Sequence, residues 1–138
     1  MNTFLSRPFL TAVTLLLLAP IAPYAAEGAT GKPHPKVIQL DASGNGDLPV
    51  LKGPPESVKM KSGLVVLAPG RSVGEHSTGQ NEELLVVFEG QGEMTFQGGS
   101  KLPVRANSAL YCPPETEHNV TNTGPGQLRY VYIVANTR

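Results

Sequence analysis

Gly70-Arg71-Ser72-Val73-Gly74-Glu75-His76-Ser77-Thr78-Gly79-Gln80-Asn81-Glu82-Glu83-Leu84-Leu85-Val86-Val87-Phe88-Glu89-Gly90 is the stretch whose reading decides the fold. A Gly/Pro stop at Pro69-Gly70 precedes it. A histidine stands in its turn-rich first half, and a short apolar run fills the second. A matching context recurs some forty residues on, in Cys112-Pro113-Pro114-Glu115-Thr116-Glu117-His118-Asn119-Val120-Thr121-Asn122. Two of the three histidines in the chain therefore sit in strand–turn–strand segments. A closed β-barrel brings such segments face to face, and imidazole with carboxylate is a donor set that suits a transition metal.

Working outward, the apolar pattern is that of strands throughout. No window sustains a 3.6-residue repeat over three turns. Val37-Leu40 reads as a first edge strand followed by a Ser43-Gly46 turn. Ser57-Lys61 and Leu64-Leu67 read as strands stopped by Pro69-Gly70. Leu84-Phe88 is apolar on both faces, as in a strand packed on two sides. Glu93-Gln97 and Lys101-Arg105 flank Gly98-Gly99, a dipeptide suited to a tight hairpin. Ala109-Cys112 is a short strand ended by Pro113-Pro114, and Asn119-Asn122 is expected to pair with Leu128-Val134 through Gly124-Pro125-Gly126. Turns every eight to twelve residues predict an all-β sandwich or small barrel.

The 138 residues allow one domain. Residues 1–26 read as a secretory signal: Arg7 is their only charge, and Leu10 to Ile21 is apolar until Pro20 and Pro23 cut it short of a membrane span. Cleavage is expected at 26–28, with 27–36 a flexible Gly/Pro/Lys linker and 37–138 the folded domain. The expected location is periplasmic or secreted, with no stable membrane span after processing. Eleven basic side chains, one of them Arg7, against eleven acidic ones leave the mature domain near neutral. Without a Lys/Arg cluster there is no footprint for nucleic acid. Cys112 is the single cysteine, so no intrachain disulfide forms and the hydrophobic core must carry the fold.

At these spacings the chain resembles the cupin superfamily of small jelly-roll β-barrels, over roughly Leu64 to Val134. Their first motif is G, five residues, H-x-H, three or four residues, E, six residues, G. Gly70, His76, Glu83 and Gly90 match it, with Thr78 in place of the second histidine. Their second motif is G, five residues, P-x-G, two residues, H, three residues, N. Pro113, His118 and Asn122 match it, whereas Asn107 and Glu115 replace its glycines. Asn tolerates left-handed backbone well; Glu115 suggests a different turn. The resemblance implies a single-domain cupin jelly roll, a homodimer, and a metal site.

In that site His76, Glu83 and His118 are the expected ligands of a divalent transition metal (Fe, Mn, Cu or Zn), with Gln80 as a neutral fourth. Two imidazoles and one carboxylate from three strands form the facial arrangement typical of non-haem iron, with positions left open. Strand alternation puts residue 78 on the face of residue 76, so Thr78 either holds a metal-bound water or fills space. Glu82 is read as a solvated strand start, and Cys112 as a small buried hydrophobe. His34 is read as solvated, and Tyr111, Tyr130 and Tyr132 as core. The Asn119-Val120-Thr121 glycosylation pattern lies on an inward strand. No nucleophile elbow or phosphate loop is present.

The function expected from this reading is that of an exported metal-dependent oxygenase or decarboxylase-like enzyme on a small organic acid or phenolic compound. The alternatives are a periplasmic small-molecule-binding module with weak or no metal, which the loss of one imidazole at Thr78 favours, and a structural or sensor barrel.

Overall fold

A computed structural model describes residues 32–41 and 46–138. The signal-peptide expectation for residues 1–26, half of the proposed linker (27–31) and all but the last residue of the Ser43-Gly46 turn lie outside these residues. Among the described residues nine strands run in chain order: β1 (Gly46–Leu51), β2 (Met60–Leu67), β3 (His76–Ser77), β4 (Asn81–Glu89), β5 (Gln91–Phe96), β6 (Lys101–Arg105), β7 (Ser108–Cys112), β8 (Glu117–Asn122) and β9 (Leu128–Asn136). They form two antiparallel sheets, ordered β1-β2-β9-β4-β7 and β3-β8-β5-β6. No helix among the described residues is long and apolar enough to cross a membrane.

The sheets face each other across one core. Val65, Leu67, Leu85, Val87, Leu110, Cys112, Leu128 and Tyr130 come from the five-stranded sheet, and Met94, Val104 and Val120 from the four-stranded one. Period-2 alternation produces this directly: in β4, Glu83, Leu85 and Val87 are buried while Leu84 and Phe88 are exposed. Leu84-Phe88 is therefore covered on one face only within a single chain, where both were expected to be packed. A smaller apolar cluster of Leu64, Val66 and Val131 is built from the alternate residues of β2 and β9.

Most strands fall where the sequence pattern puts them, and the Gly98-Gly99 hairpin joins β5 to β6 with both glycines at positive φ. Four expectations are corrected. Val37-Leu40 is not a strand. Ser57-Lys61 and Leu64-Leu67 do not form separate strands: a single strand starts at Met60 and runs through Ser62 and Gly63. β1 begins at Gly46, where a turn was expected to end. Asn119-Asn122 does not pair with Leu128-Val134: β8 pairs with β3 and β5, whereas β9 pairs with β2 and β4. The Gly124-Pro125-Gly126 turn instead carries the chain from one sheet to the other, a crossing that local turn chemistry does not distinguish from a hairpin.

Asn122 anchors that crossing. Its buried amide donates to the carbonyls of Leu67 and Gly126, both at 2.8 Å, and its Oδ1 accepts from Gly124 N at 2.9 Å. Every polar group of the side chain is thus engaged, which is what permits an amide at zero exposure.

Candidate metal centre

β3 and β8 are antiparallel neighbours in which His76 and His118 are direct register partners. Direct partners project to the same face, and the two rings lie 4.3 Å apart at 58°. Glu83 reaches them from the opposite sheet, on β4 between Cys112 of β7 and Val134 of β9. One ligand atom from each of His76, Glu83 and His118 lies within 4.8 Å of the others. Three strands from two sheets thus converge on one point. Gln80, the fourth expected ligand, is exposed and is not among the residues that line the cavity beside the cluster; its backbone carbonyl accepts hydrogen bonds from the N–H and hydroxyl of Thr137.

Both rings are held the same way. His76 Nδ1 lies 3.0 Å from the carbonyl of Gly74, and His118 Nδ1 lies 3.1 Å from that of Thr116. A carbonyl only accepts, so each Nδ1 carries the hydrogen and each Nε2 is left as a lone pair in the neutral ring. This backbone support of the remote nitrogen is the arrangement that orients histidine ligands. His118 is 2 % exposed and Glu83 8 %. His118 Nε2 stands 3.2 Å from Glu83 Oε2 without hydrogen-bond alignment and has no other partner. Two lone pairs and a carboxylate face one another with no donor among them. The donor set fits a divalent transition metal, which supplies the missing positive charge.

In a ring without metal, a proton takes that role. The adjacent Glu83 carboxylate raises the pKa of His118 above the ordinary imidazole range; burial opposes it, and the Thr116 carbonyl and Glu117 add to it.

Thr78 is buried, but its hydroxyl is committed elsewhere: it donates to the Pro113 carbonyl at 2.8 Å and accepts from Thr116 N at 2.9 Å. It clasps the end of β3 to the turn that delivers His118, which is neither of the two roles expected of it. Glu115 N donates to the Gly79 carbonyl at 2.7 Å in the same clasp. Both residues that replace motif glycines adopt left-handed backbone, Asn107 at φ 63° and Glu115 at φ 58°. The turn at Glu115 thus keeps the left-handed geometry that a glycine supplies, contrary to the expectation of a different one.

Cys112 is fully buried, its Sγ 3.4 Å from Met94 Sδ, and burial followed by Glu83 pushes its thiol up to about 11. It is the inert core residue the sequence suggests. Glu82 accepts a hydrogen bond from Tyr111, which is 56 % exposed on the outer face instead of core. His34 is exposed.

A cavity of about 370 Å³ opens beside the cluster, lined by His76, Thr78, Glu83 and His118 together with Val65, Leu85, Val120, Val134 and the polar Asp47, Asn81, Tyr130 and Tyr132. Tyr130 and Tyr132 line it instead of filling the core alone. Asp47 was not legible in the sequence, because nothing near it in the chain marks β1 as a cavity wall.

The family described as the cupin domain matches residues 63–134, just over half of the chain. A protein of Streptomyces cyaneus named polyketide synthase CurC is 32 % identical over 100 residues, 70 % of this chain and 64 % of that protein, so the chain spans less than two thirds of the relative's length. Among solved structures, a Cupin 2 conserved barrel domain protein from Salinispora arenicola superposes with a TM-score of 0.63 at 22 % identity, over 75 % of this chain and 91 % of that one. A conserved protein with a double-stranded β-helix domain from Klebsiella pneumoniae gives 0.62 at 17 % identity, over 74 % and 90 %. With the family match spanning both motifs and the barrel that joins them, this chain belongs to the cupin family.

Proposed function

We propose that this cupin is a metal-dependent enzyme, an oxygenase or decarboxylase-like catalyst for a small organic acid or phenolic compound. His76, Glu83 and His118 hold a divalent Fe, Mn, Cu or Zn ion. One observation carries the reading: a buried, unaligned His118 Nε2 aimed at a buried carboxylate, with its Nδ1 already engaged by a backbone carbonyl. A bound ion of this kind supplies Lewis acidity or a site for oxygen. The chain's own contribution is to fix both imidazole tautomers, to present the ligand atoms from a rigid two-sheet frame, and to offer a largely apolar cavity beside them. The relative named as a polyketide synthase directs the search for substrates toward polyketide-type ring compounds.

Elemental analysis of protein expressed without a histidine tag tests the metal. Near-stoichiometric metal that is lost in His118→Ala supports the reading, and folded protein without metal in either form refutes it. The second reading, a small-molecule-binding module, is favoured by Thr78, whose hydroxyl is fully used by Pro113 and Thr116 and adds no ligand. Ligand binding by metal-free protein identifies that case.

Export of the chain with removal of the leader at 26–28, and assembly as a homodimer, belong to the same proposal. The uncharged apolar run before Pro20 supports the first. The exposed Leu84, Phe88 and Tyr111 on the outer face of the five-stranded sheet support the second. Intact-mass measurement of the mature chain in a periplasmic extract tests export.

A further inference from the structure

The cavity has a second polar end that the family match does not supply. Asp47 lies on β1, before the matched residues 63–134, and its Oδ2 accepts a hydrogen bond from the Tyr132 hydroxyl at 3.3 Å. Gly63 makes the room for this pair. It is the register partner of Tyr132 on β2, and a Cβ there would stand 2.6 Å from Asp47 Oδ1 and 2.7 Å from both Cε1 and the hydroxyl of Tyr132. Any side chain at 63 would displace the carboxylate or the phenol, so the bare strand is what lets them lie together.

Burial and then Asp47 push the Tyr132 hydroxyl up to about 12, so it remains a donor to Asp47 at neutral pH. That leaves Asp47 Oδ1 as a free acceptor. Tyr130 lines the same cavity at 3 % exposure. Burial, then Glu83, Asp47 and Tyr132, raise its pKa, which keeps the O–H protonated and sets it among the charges of both ends of the cavity. Among the described residues its hydroxyl has no hydrogen-bond partner. No Lys or Arg is among the lining residues.

We propose that Asp47 and Tyr130 select a ring compound bearing a neutral hydroxyl, which donates to Asp47 and accepts from Tyr130, over carboxylates of the same shape. The choice follows from what each group can do. A hydroxyl both donates to Asp47 and accepts from Tyr130; a carboxylate only accepts and meets like charge at Asp47. The apolar wall of Val65, Leu85, Val120 and Val134 suits the ring. This inference rests on the cavity being the ligand site proposed above, and it narrows the substrate from organic acid or phenol to phenol.

The test titrates the full chain as purified with phenol and benzoate, following binding by NMR shift changes, with metal content measured on the same samples. Phenol is expected to bind about tenfold more tightly than benzoate, the worth of one hydrogen bond to a charged partner. Asp47→Asn is expected to close the gap between phenol and benzoate. Tyr130→Phe is expected to weaken phenol severalfold. Benzoate matching phenol in the unaltered protein overturns the proposal, as does a gap that persists in Asp47→Asn. Phenol selectivity in samples devoid of metal removes the metal-centre reading and leaves this one standing. Metal-loaded protein without selectivity does the reverse.

Discussion

His118 holds two incompatible demands: it is buried beside a carboxylate, and its free nitrogen has no donor to meet. A proton or a metal ion resolves this, and the two compete. Because Glu83 raises the pKa of His118, protons win at higher pH than at an ordinary imidazole. Metal content, followed by dialysis across a series of decreasing pH, is therefore expected to begin to drop while the pH is still above ~6.5, the unperturbed value. Metal-stripped protein should show the opposite sign in stability. The protonated His118–Glu83 pair stabilises the fold fully below the unfolded-state pKa, and that contribution is lost as pH rises through the elevated folded-state value. A urea midpoint higher at pH 6 than at pH 8 is the expected result. Glu115 is the other residue under tension, since a left-handed conformation costs a side chain with a Cβ about 1–2 kcal/mol. Glu115→Gly removes that strain and adds unfolded-state entropy of about 0.5–1 kcal/mol. A net gain of up to about 1 kcal/mol is expected in chemical denaturation.

Single elements in this barrel are short, and side-chain clasps hold them in register. β3 has two residues, yet Thr78 and the Glu115–Gly79 backbone bond tie its end to the turn before β8, which is how His76 meets His118. Asn122 does the same for the end of β2 and the β8–β9 connection. Asn122→Ala leaves two carbonyls and one N–H without partners, one of those carbonyls in a buried residue, and is expected to cost about 2–4 kcal/mol. Hydrogen exchange should show the loss first at Gly124, whose N–H the side chain accepts.

Across the whole molecule, the chain must switch sheets between β4 and β5, and it does so at Gly90. There φ is 81°, and a Cβ would stand 2.2 Å from the Gln127 carbonyl oxygen. Gly90→Ala meets both obstacles and is expected to destabilise by about 3 kcal/mol or more, read as a lowered Tm or loss of soluble protein. The switch also leaves the outer face of the five-stranded sheet open at Leu84 and Phe88. If this face pairs two copies, Leu84→Glu with Phe88→Glu yields a monomer by light scattering with unchanged metal content, because both side chains point away from the cluster.

The spacing of His76, Glu83, Gly90, His118 and Asn122, together with the turn-punctuated apolar runs, was enough to determine the strand class and the three residues that converge, but not the single core face of β4, where both faces were expected to be packed. These are local properties: a period, a turn, a motif interval. The pairing of β8 and β9, the use of Thr78 and the cavity wall at Asp47 were decided by tertiary structure alone. Each depends on which strands become neighbours across the two sheets, and neighbours far apart in the chain leave no local mark. The same holds for Gly63, whose missing side chain matters only because Tyr132 and Asp47 arrive above it.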